Sequence, residues 1–293
     1  MILSAIIPAY REPFLNNTLK SLLECLTVEA EVIVILDGWT PKEPLIDDIR
    51  VKVITLEHNV GMRGATNEGL KSATGKYIMK VDAHCLFTPG FDKILIDSCK
   101  RNWLMIPRRY SLLVEGWKVD KARPYRDYHY LSFPGETGLH YGKSLQNVDS
   151  YHRNTKPIDD TMTFQGSFWL ANRDYFMKNI GFLDDSPKTY GTFIQEYLEI
   201  GMKYWLGGGA IKINKNTWYA HLSKRGHHYL SGLFSRRYKK DAQSIKSYNW
   251  AAKHWMNDEE PNMIHKFEWL VEKFWPIKNW PENWRELWKK YNS

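Results

Sequence analysis

Four short apolar runs separated by amphipathic helical patterns fill the first hundred residues, and this alternation leaves few folds open to the chain. Residues 4–8, 31–36, 51–56 and 77–81 read as strands, with the second near-continuously apolar as a buried parallel strand is. Pro13 suits a first helical turn, and Leu15, Leu19, Leu22, Leu23 and Leu26 recur at helical spacing after it. Residues 61–73 form a second helical pattern stopped by Gly75, and Phe91, Ile94, Leu95 and Cys99 mark a third. Strands and helices in this order predict one half of a doubly wound α/β nucleotide-binding fold.

The fourth strand runs directly into Asp82-Ala83-His84. Ligands of open α/β sheets bind at the carboxyl ends of the strands, so this tripeptide sets an acidic oxygen and an imidazole at the binding edge. One carboxylate and one imidazole suit a divalent ion that also holds phosphate oxygens, with Mn²⁺ the natural candidate and Mg²⁺ the alternative. Cys85 follows at once and is either a third soft ligand or a small buried neighbour.

Beyond residue 105 the pattern loosens. Residues 110–160 are rich in Tyr, Arg, Gly, His and Pro and read as substrate-side loops with a short hairpin. Residues 163–170 read as a strand, and Phe193, Tyr197, Ile200 and Tyr204 as one helical face. Gly207-Gly208-Gly209 forces a turn, after which residues 210–214 and 217–222 read as two strands ending near His221. The last seventy residues hold seven tryptophans and fit three short helices broken by Pro261, Pro276 and Pro281.

The 293 residues carry a net charge of +8, concentrated at Arg108-Arg109, 121–126, Lys224-Arg225, Arg236-Arg237 and Lys239-Lys240. This implies either a well-solvated surface or attraction to a polyanion: nucleotide, nucleic acid or anionic membrane. No run of eighteen apolar residues exists, so stable membrane insertion is not expected. The apolar N-terminus lacks a basic n-region and reads as a strand instead of a secretory leader. Cys25, Cys85 and Cys99 are odd in number and far apart, and the expectation is a reduced, cytoplasmic protein, in the host cytoplasm if viral.

Several blocks together resemble GT-A fold, family 2 glycosyltransferases: residues 5–12, Asp37-Gly38 after the second strand, and Asn59-x-Gly61 continuing to Asn67-x-Gly69-Leu70. The form Asp82-Ala83-His84-Cys85, the block Glu196-x-Leu198-Glu199, Trp205-Leu206 with three glycines, and then His221 are similar to the polypeptide N-acetylgalactosaminyltransferases. The resemblance spans roughly residues 2–225 and implies a GT-A mixed sheet flanked by helices. It divides the chain into a nucleotide-sugar half at 1–105, an acceptor half at 106–225, and a helical Trp-rich extension at 226–293.

The resemblance implies a UDP-sugar donor and a metal held by Asp82, His84 and His221. Pro8, Ala9, Tyr10 and Arg11 would line the nucleotide pocket. Asp37 would accept from base or ribose; a turn former in Asp-Gly is the plainer reading. Arg63 would contact base or phosphate; its plainer reading is a surface arginine. Glu196 would lie near the reacting carbons, as base or as orienting group. Asp184-Asp185 and Gly166-Ser167 would shape the acceptor side, and Glu199 would be structural.

The acceptor stays open among a protein Ser/Thr hydroxyl, a cell-surface glycan or lipid carrier, and a hydroxymethylated base of phage DNA. Tryptophans interleaved with Lys and Arg are how proteins hold unstacked bases. The plainer reading is that most of them, Trp269 and Trp288 included, pack short helices onto the catalytic part. The segment 229–238 is basic and amphipathic enough to touch a bilayer. Two other classes compete: a non-catalytic nucleic-acid binder on the same scaffold, which would need none of the candidate site residues, and a nucleotidyltransferase. The latter would carry a Gly-rich loop with a Lys after the first strand, and residues 8–11 are not one.

Overall fold

The computed structural model describes residues 1–135, 138–140, 153, 155–223 and 242–292. The strand-and-helix reading of the first hundred residues holds. It gives β1 (Leu3–Ala9), α1 (Leu15–Cys25), β2 (Ala30–Asp37), β3 (Val51–Leu56), α2 (Gly61–Ser72), β4 (Tyr77–Val81) and α3 (Phe91–Ser98), with a short β5 (Cys85–Phe87). Then follow β6 (Trp103–Leu113), β7 (Lys118–Val119), β8 (Ile158–Asp160), β9 (Phe168–Asn172), α4 (Arg173–Asn179), α5 (Glu196–Leu206) and β10 (Ala210–His221). Three C-terminal helices close the described chain: α6 (Ala242–Met256), α7 (Phe267–Phe274) and α8 (Trp284–Asn292).

The sheet order is β3-β2-β1-β4-β9-β6-β10-β5. Strands β1 to β4 are mutually parallel, and β9 runs antiparallel to both β4 and β6. β10 is parallel to β6, so β1, β2, β4, β6 and β10 all end on one edge. This mixed sheet is a GT-A-like architecture. Alternate residues of β1 serve two cores. Ile6 packs with α2 and α5 on one face, and Ala5 and Ile7 pack with α1 and α3 on the other.

Three readings are corrected. Residues 163–167 are not strand: Thr163 makes an isolated bridge to His129, the chain turns at 166–167, and the strand lies at 168–172. The two strands expected at 210–222 are one, with an irregularity between Asn214 and Trp218. β6 went unread because Pro107 and Arg108-Arg109 interrupt its apolar pattern, yet it lies inside the sheet. Phe193 lies before α5 and is exposed.

The C-terminal tryptophans mostly pack. Trp255, Trp280 and Trp284 belong to the same core as Trp169 and Trp205, and Trp250, Trp269 and Trp288 lean on it. Trp280 donates its indole N–H to the Leu131 carbonyl and Trp255 donates to the Tyr190 hydroxyl. Among the described residues, no helix is long and apolar enough to cross a membrane. The clusters at 224–225, 236–237 and 239–240, and the segment 229–238, lie outside the described residues.

Candidate active site

Strand polarity brings Asp82 and His221 together from 139 residues apart. β4 ends at Val81, β10 ends at His221, and both finish on the same edge. One ligand atom each from Asp82, His84 and His221 lies within 4.8 Å of the others. Asp82 Oδ2 is the shared point, 3.1 Å from His221 Nε2 and 3.9 Å from His84 Nε2. The Asp82 side chain keeps 28% exposure, so the cluster is reachable from solvent.

Three charged residues that sequence reasoning did not assign surround this cluster. Glu12, in the loop after β1, lies with Oε2 3.0 Å from His84 Nδ1. A carboxylate can only accept there, so Nδ1 carries the proton and Nε2 turns its lone pair toward Asp82. Arg109, buried on β6, donates from Nη2 to His221 Nδ1 at 3.0 Å. His221 Nε2 therefore carries the proton donated to Asp82. Lys80, one strand position from Val81, donates to Asp82 Oδ1 at 2.8 Å.

Burial works to raise the Asp82 carboxyl, but Lys80 and the two histidines outweigh it and hold Asp82 well below the usual carboxylate range. Burial, with His84 and Arg109 adding to it, pushes His221 down to about 3, so its imidazole is neutral. An ionised carboxylate and a neutral imidazole are the protonation states a divalent cation needs. The donor set fits such an ion, with His84 pre-oriented and His221 able to ligate once its Nε2 proton is displaced. Cys85 is not part of the cluster: it is buried in the apolar core, and burial raises its thiol well above the ordinary value.

The remaining expected residues divide. Ala9 is buried at the end of β1, and Pro8 and Tyr10 are half-buried. Arg11 is exposed with its guanidinium 5.1 Å from the Tyr10 ring, and its φ of 49° is left-handed. These four stand on the ligand edge beside Asp82. Asp37 stands on the same edge but its oxygens are spent locally. Oδ1 accepts from the Val60 N–H at 2.7 Å, and Oδ2 from Asn59 Nδ2 at 2.6 Å and the Gly61 N–H at 3.0 Å. It caps the start of α2, where a carboxylate is favoured.

Arg63 is a correction. It is 0% exposed, and all three guanidinium nitrogens are held: Nε by the Asp184 carbonyl, Nη1 by the Ile194 carbonyl and Nη2 by Glu199. Its ring partner is Tyr190, at 4.5 Å. It joins α2 to α5 and, fully buried in that junction, is not presented to a nucleotide. Glu199 also pairs with Lys203 at 2.8 Å, consistent with a structural role. Asp184 lies in the same junction, accepting from the Ser186 N–H.

Glu196 begins α5 and is 2% exposed. Oε1 accepts from the Trp169 indole at 2.6 Å and Oε2 from Lys80 at 3.2 Å. Gln195 before it is left-handed at φ 59°, and a Cβ on Gly166 would stand 2.8 Å from Glu196 Oε2. This carboxylate is held in place by its neighbours, one donor on each oxygen. Ser167 is likewise engaged, its Oγ 2.8 Å from the Tyr219 hydroxyl.

A family model for glycosyl transferase family 2 matches residues 4–179. The chain belongs to glycosyl transferase family 2. Among curated family relatives, it is 27% identical over 227 residues to "Probable N-acetylgalactosaminyltransferase 9" of Caenorhabditis elegans, covering 74% of this chain and 37% of that one. It is 25% identical over 260 residues to "Probable N-acetylgalactosaminyltransferase 7" of the same organism, covering 84% and 42%. The chain thus spans about two fifths of the length of these relatives. Its fold is similar to GalNAc-T7 crystallised with UDP, GalNAc and Mn²⁺, with a TM-score of 0.71 at 17% identity over 94% of this chain and 56% of that one. A second likeness is to Staphylococcus aureus TarS 1–349 in complex with UDP-GlcNAc, at TM-score 0.51 and 19% identity over 79% and 61%.

Proposed function

We propose that this family 2 protein is a metal-dependent glycosyltransferase that moves a sugar from a UDP-sugar to a hydroxyl of a macromolecular acceptor. The observation that carries this is the convergence of Asp82, His84 and His221 at the strand-end edge. Mn²⁺, or Mg²⁺ in its place, bound by these three would supply Lewis acidity to the departing diphosphate. The chain's own residues prepare that site. Glu12 fixes the His84 tautomer, Lys80 fixes one oxygen of Asp82, and residues 8–11 with the α2 start capped by Asp37 form the wall for the nucleotide. Glu196 acts by orientation: its carboxylate, locked by Trp169 and Lys80, shapes the sugar side next to Gly166.

The division at residue 225 is kept as part of this reading, with 226–293 as an acceptor-side extension whose described helices, α6 to α8, share the core of the sheet. Further relatives carry the name "Polypeptide N-acetylgalactosaminyltransferase", which favours a peptide hydroxyl. A hydroxymethylated DNA base is the second reading. It draws on the net charge of +8 and on a cleft of about 460 Å³ lined by Tyr110, Tyr125 and Trp218 with Lys121 and Arg123. That cleft lies on the sheet face opposite His221, because Tyr110 and Trp218 alternate with Arg109 and Tyr219 along paired strands. The tryptophans of the extension, Trp275 excepted, pack against the core and no longer support it.

The test is release of UDP from UDP-GalNAc and UDP-GlcNAc, with Mn²⁺ or excess chelator, in the presence of Ser/Thr peptides or hydroxymethylated oligonucleotides. Metal-dependent release stimulated by one acceptor class is expected. Undiminished release in chelator, or a preference for GDP- or CDP-sugars, would overturn the reading.

A further inference from the structure

Lys80 touches both Asp82 and Glu196, and its part in linking them goes beyond holding either one. It lies in the central strand β4 and is 1% exposed. A lysine there is costly unless its charge is matched and its donors are used. All three ammonium hydrogens have acceptors: Asp82 Oδ1 at 2.8 Å, the Gly166 carbonyl at 2.6 Å and Glu196 Oε2 at 3.2 Å. The three acceptors belong to different parts of the fold: the end of β4, the turn before β9 and the first residue of α5. One is a candidate metal ligand and the other two stand on the sugar side.

We infer that Lys80 is a positioning residue that joins the Asp82 carboxylate to the Glu196 carboxylate as one rigid unit and sets the charge presented to the metal. The inference rests on the metal reading above. With Oδ1 held by Lys80, Asp82 offers only Oδ2 to the space between His84 and His221. Two carboxylates and one ammonium leave a single net negative charge. Taking the ammonium away doubles that charge and frees Oδ1, while Glu196 and Gly166 lose their link to β4. Metal affinity and turnover then move in opposite directions.

The test uses the full chain with Lys80→Met, which keeps side-chain length and removes the charge. Mn²⁺ binding is read by electron paramagnetic resonance without nucleotide, alongside UDP release at saturating Mn²⁺. Affinity for Mn²⁺ is expected to rise about tenfold or more, since a nearby positive charge is gone. Turnover is expected to fall about 100-fold, as displaced catalytic groups cause. The double variant Lys80→Met with Glu196→Gln restores the single negative charge and leaves Asp82 as the one carboxylate of the trio, so it tests the idea even if the single variant does not fold. Its Mn²⁺ affinity should return to the parent's while turnover stays low. Unchanged turnover, or Mn²⁺ affinity and turnover falling in parallel with thermal stability, would overturn the inference. An unaltered protein that binds no Mn²⁺ fails the metal reading itself, a result separate from either variant's behaviour.

Discussion

Glu12 holds His84 by its Nδ1 at 3.0 Å, so a carboxylate from the loop after the first strand orients an imidazole just past the end of the fourth. Both side chains are buried, and the contact fixes which histidine nitrogen faces Asp82. Removing such an outer partner usually weakens metal binding by about 10–100-fold. Glu12→Ala is expected to lose Mn²⁺ affinity on that scale with turnover partly recovered at high Mn²⁺. Titration of metal dependence checks it, and an unaltered metal requirement would show that Glu12 serves only the fold.

Arg63→Met is expected to destabilise the protein by about 3–5 kcal/mol, because Glu199 is left buried with only Lys203 to offset it. Nucleotide affinity of the folded fraction should stay at the parent value. Chemical denaturation with a nucleotide-binding measurement separates the two. Weakened UDP binding at full stability would restore Arg63 to the donor site.

Gly69 faces β1 so closely that a Cβ would come 2.3 Å from Ile6 Cγ2. Gly69→Ala overpacks the α2–β1 contact and is expected to cost about 1–3 kcal/mol. Gly166→Ala pushes instead on Glu196 Oε2, which accepts from Lys80 while Oε1 accepts from Trp169. Its main effect should be a loss of turnover with a smaller loss of stability. Melting temperatures and rates of both variants form the comparison, and equal losses of turnover would contradict it.

Acid should destabilise the chain well above the carboxylate range. Burial holds both His129 and His221 down to about 3, with Arg109 adding to each. Below about 6.5 the unfolded chain gains protons at these positions that the folded chain refuses. Their contribution to stability is therefore complete above about pH 6.5 and is lost progressively as pH falls toward 3. Asp82, held low in the fold, adds a loss in the same direction at still lower pH. Thermal melts across pH 7 to 4 read the slope, and His129→Gln should flatten it. A slope unchanged by that substitution would place the acid sensitivity elsewhere.

Much of the fold was legible in residue order. Apolar runs at 31–36 and 77–81 and the leucine spacing of α1 are local signals, because a strand buried on both faces and a helix buried on one face write different periods into the chain. Asp82 and His84 were visible for the same reason, as polar residues ending an apolar strand. His221 was marked by the glycine turn and strand leading to it. Lys80 left one usable signal: a lone lysine inside a buried parallel strand requires a partner. Arg109 was harder, since Arg108-Arg109 reads as a surface pair until β6 is known to be internal.

The sequence by itself determined the elements of the first hundred residues, their order and the residues ending those strands, all of which follow from short-range periodicity and turn chemistry. Only the tertiary structure decided which charges are buried and what they face. Asp37 and Arg63 turned to α2 and α5, Glu12, Lys80 and Arg109 turned to the site, and the tryptophans of the last helices turned to the core. Those outcomes depend on contacts between segments distant in sequence, from 22 residues for Asp37 with Asn59 to 116 for Lys80 with Glu196 and 139 for Asp82 with His221. A charged side chain carries no local mark of its partner, because the partner is set by strand order and polarity, which no periodicity records.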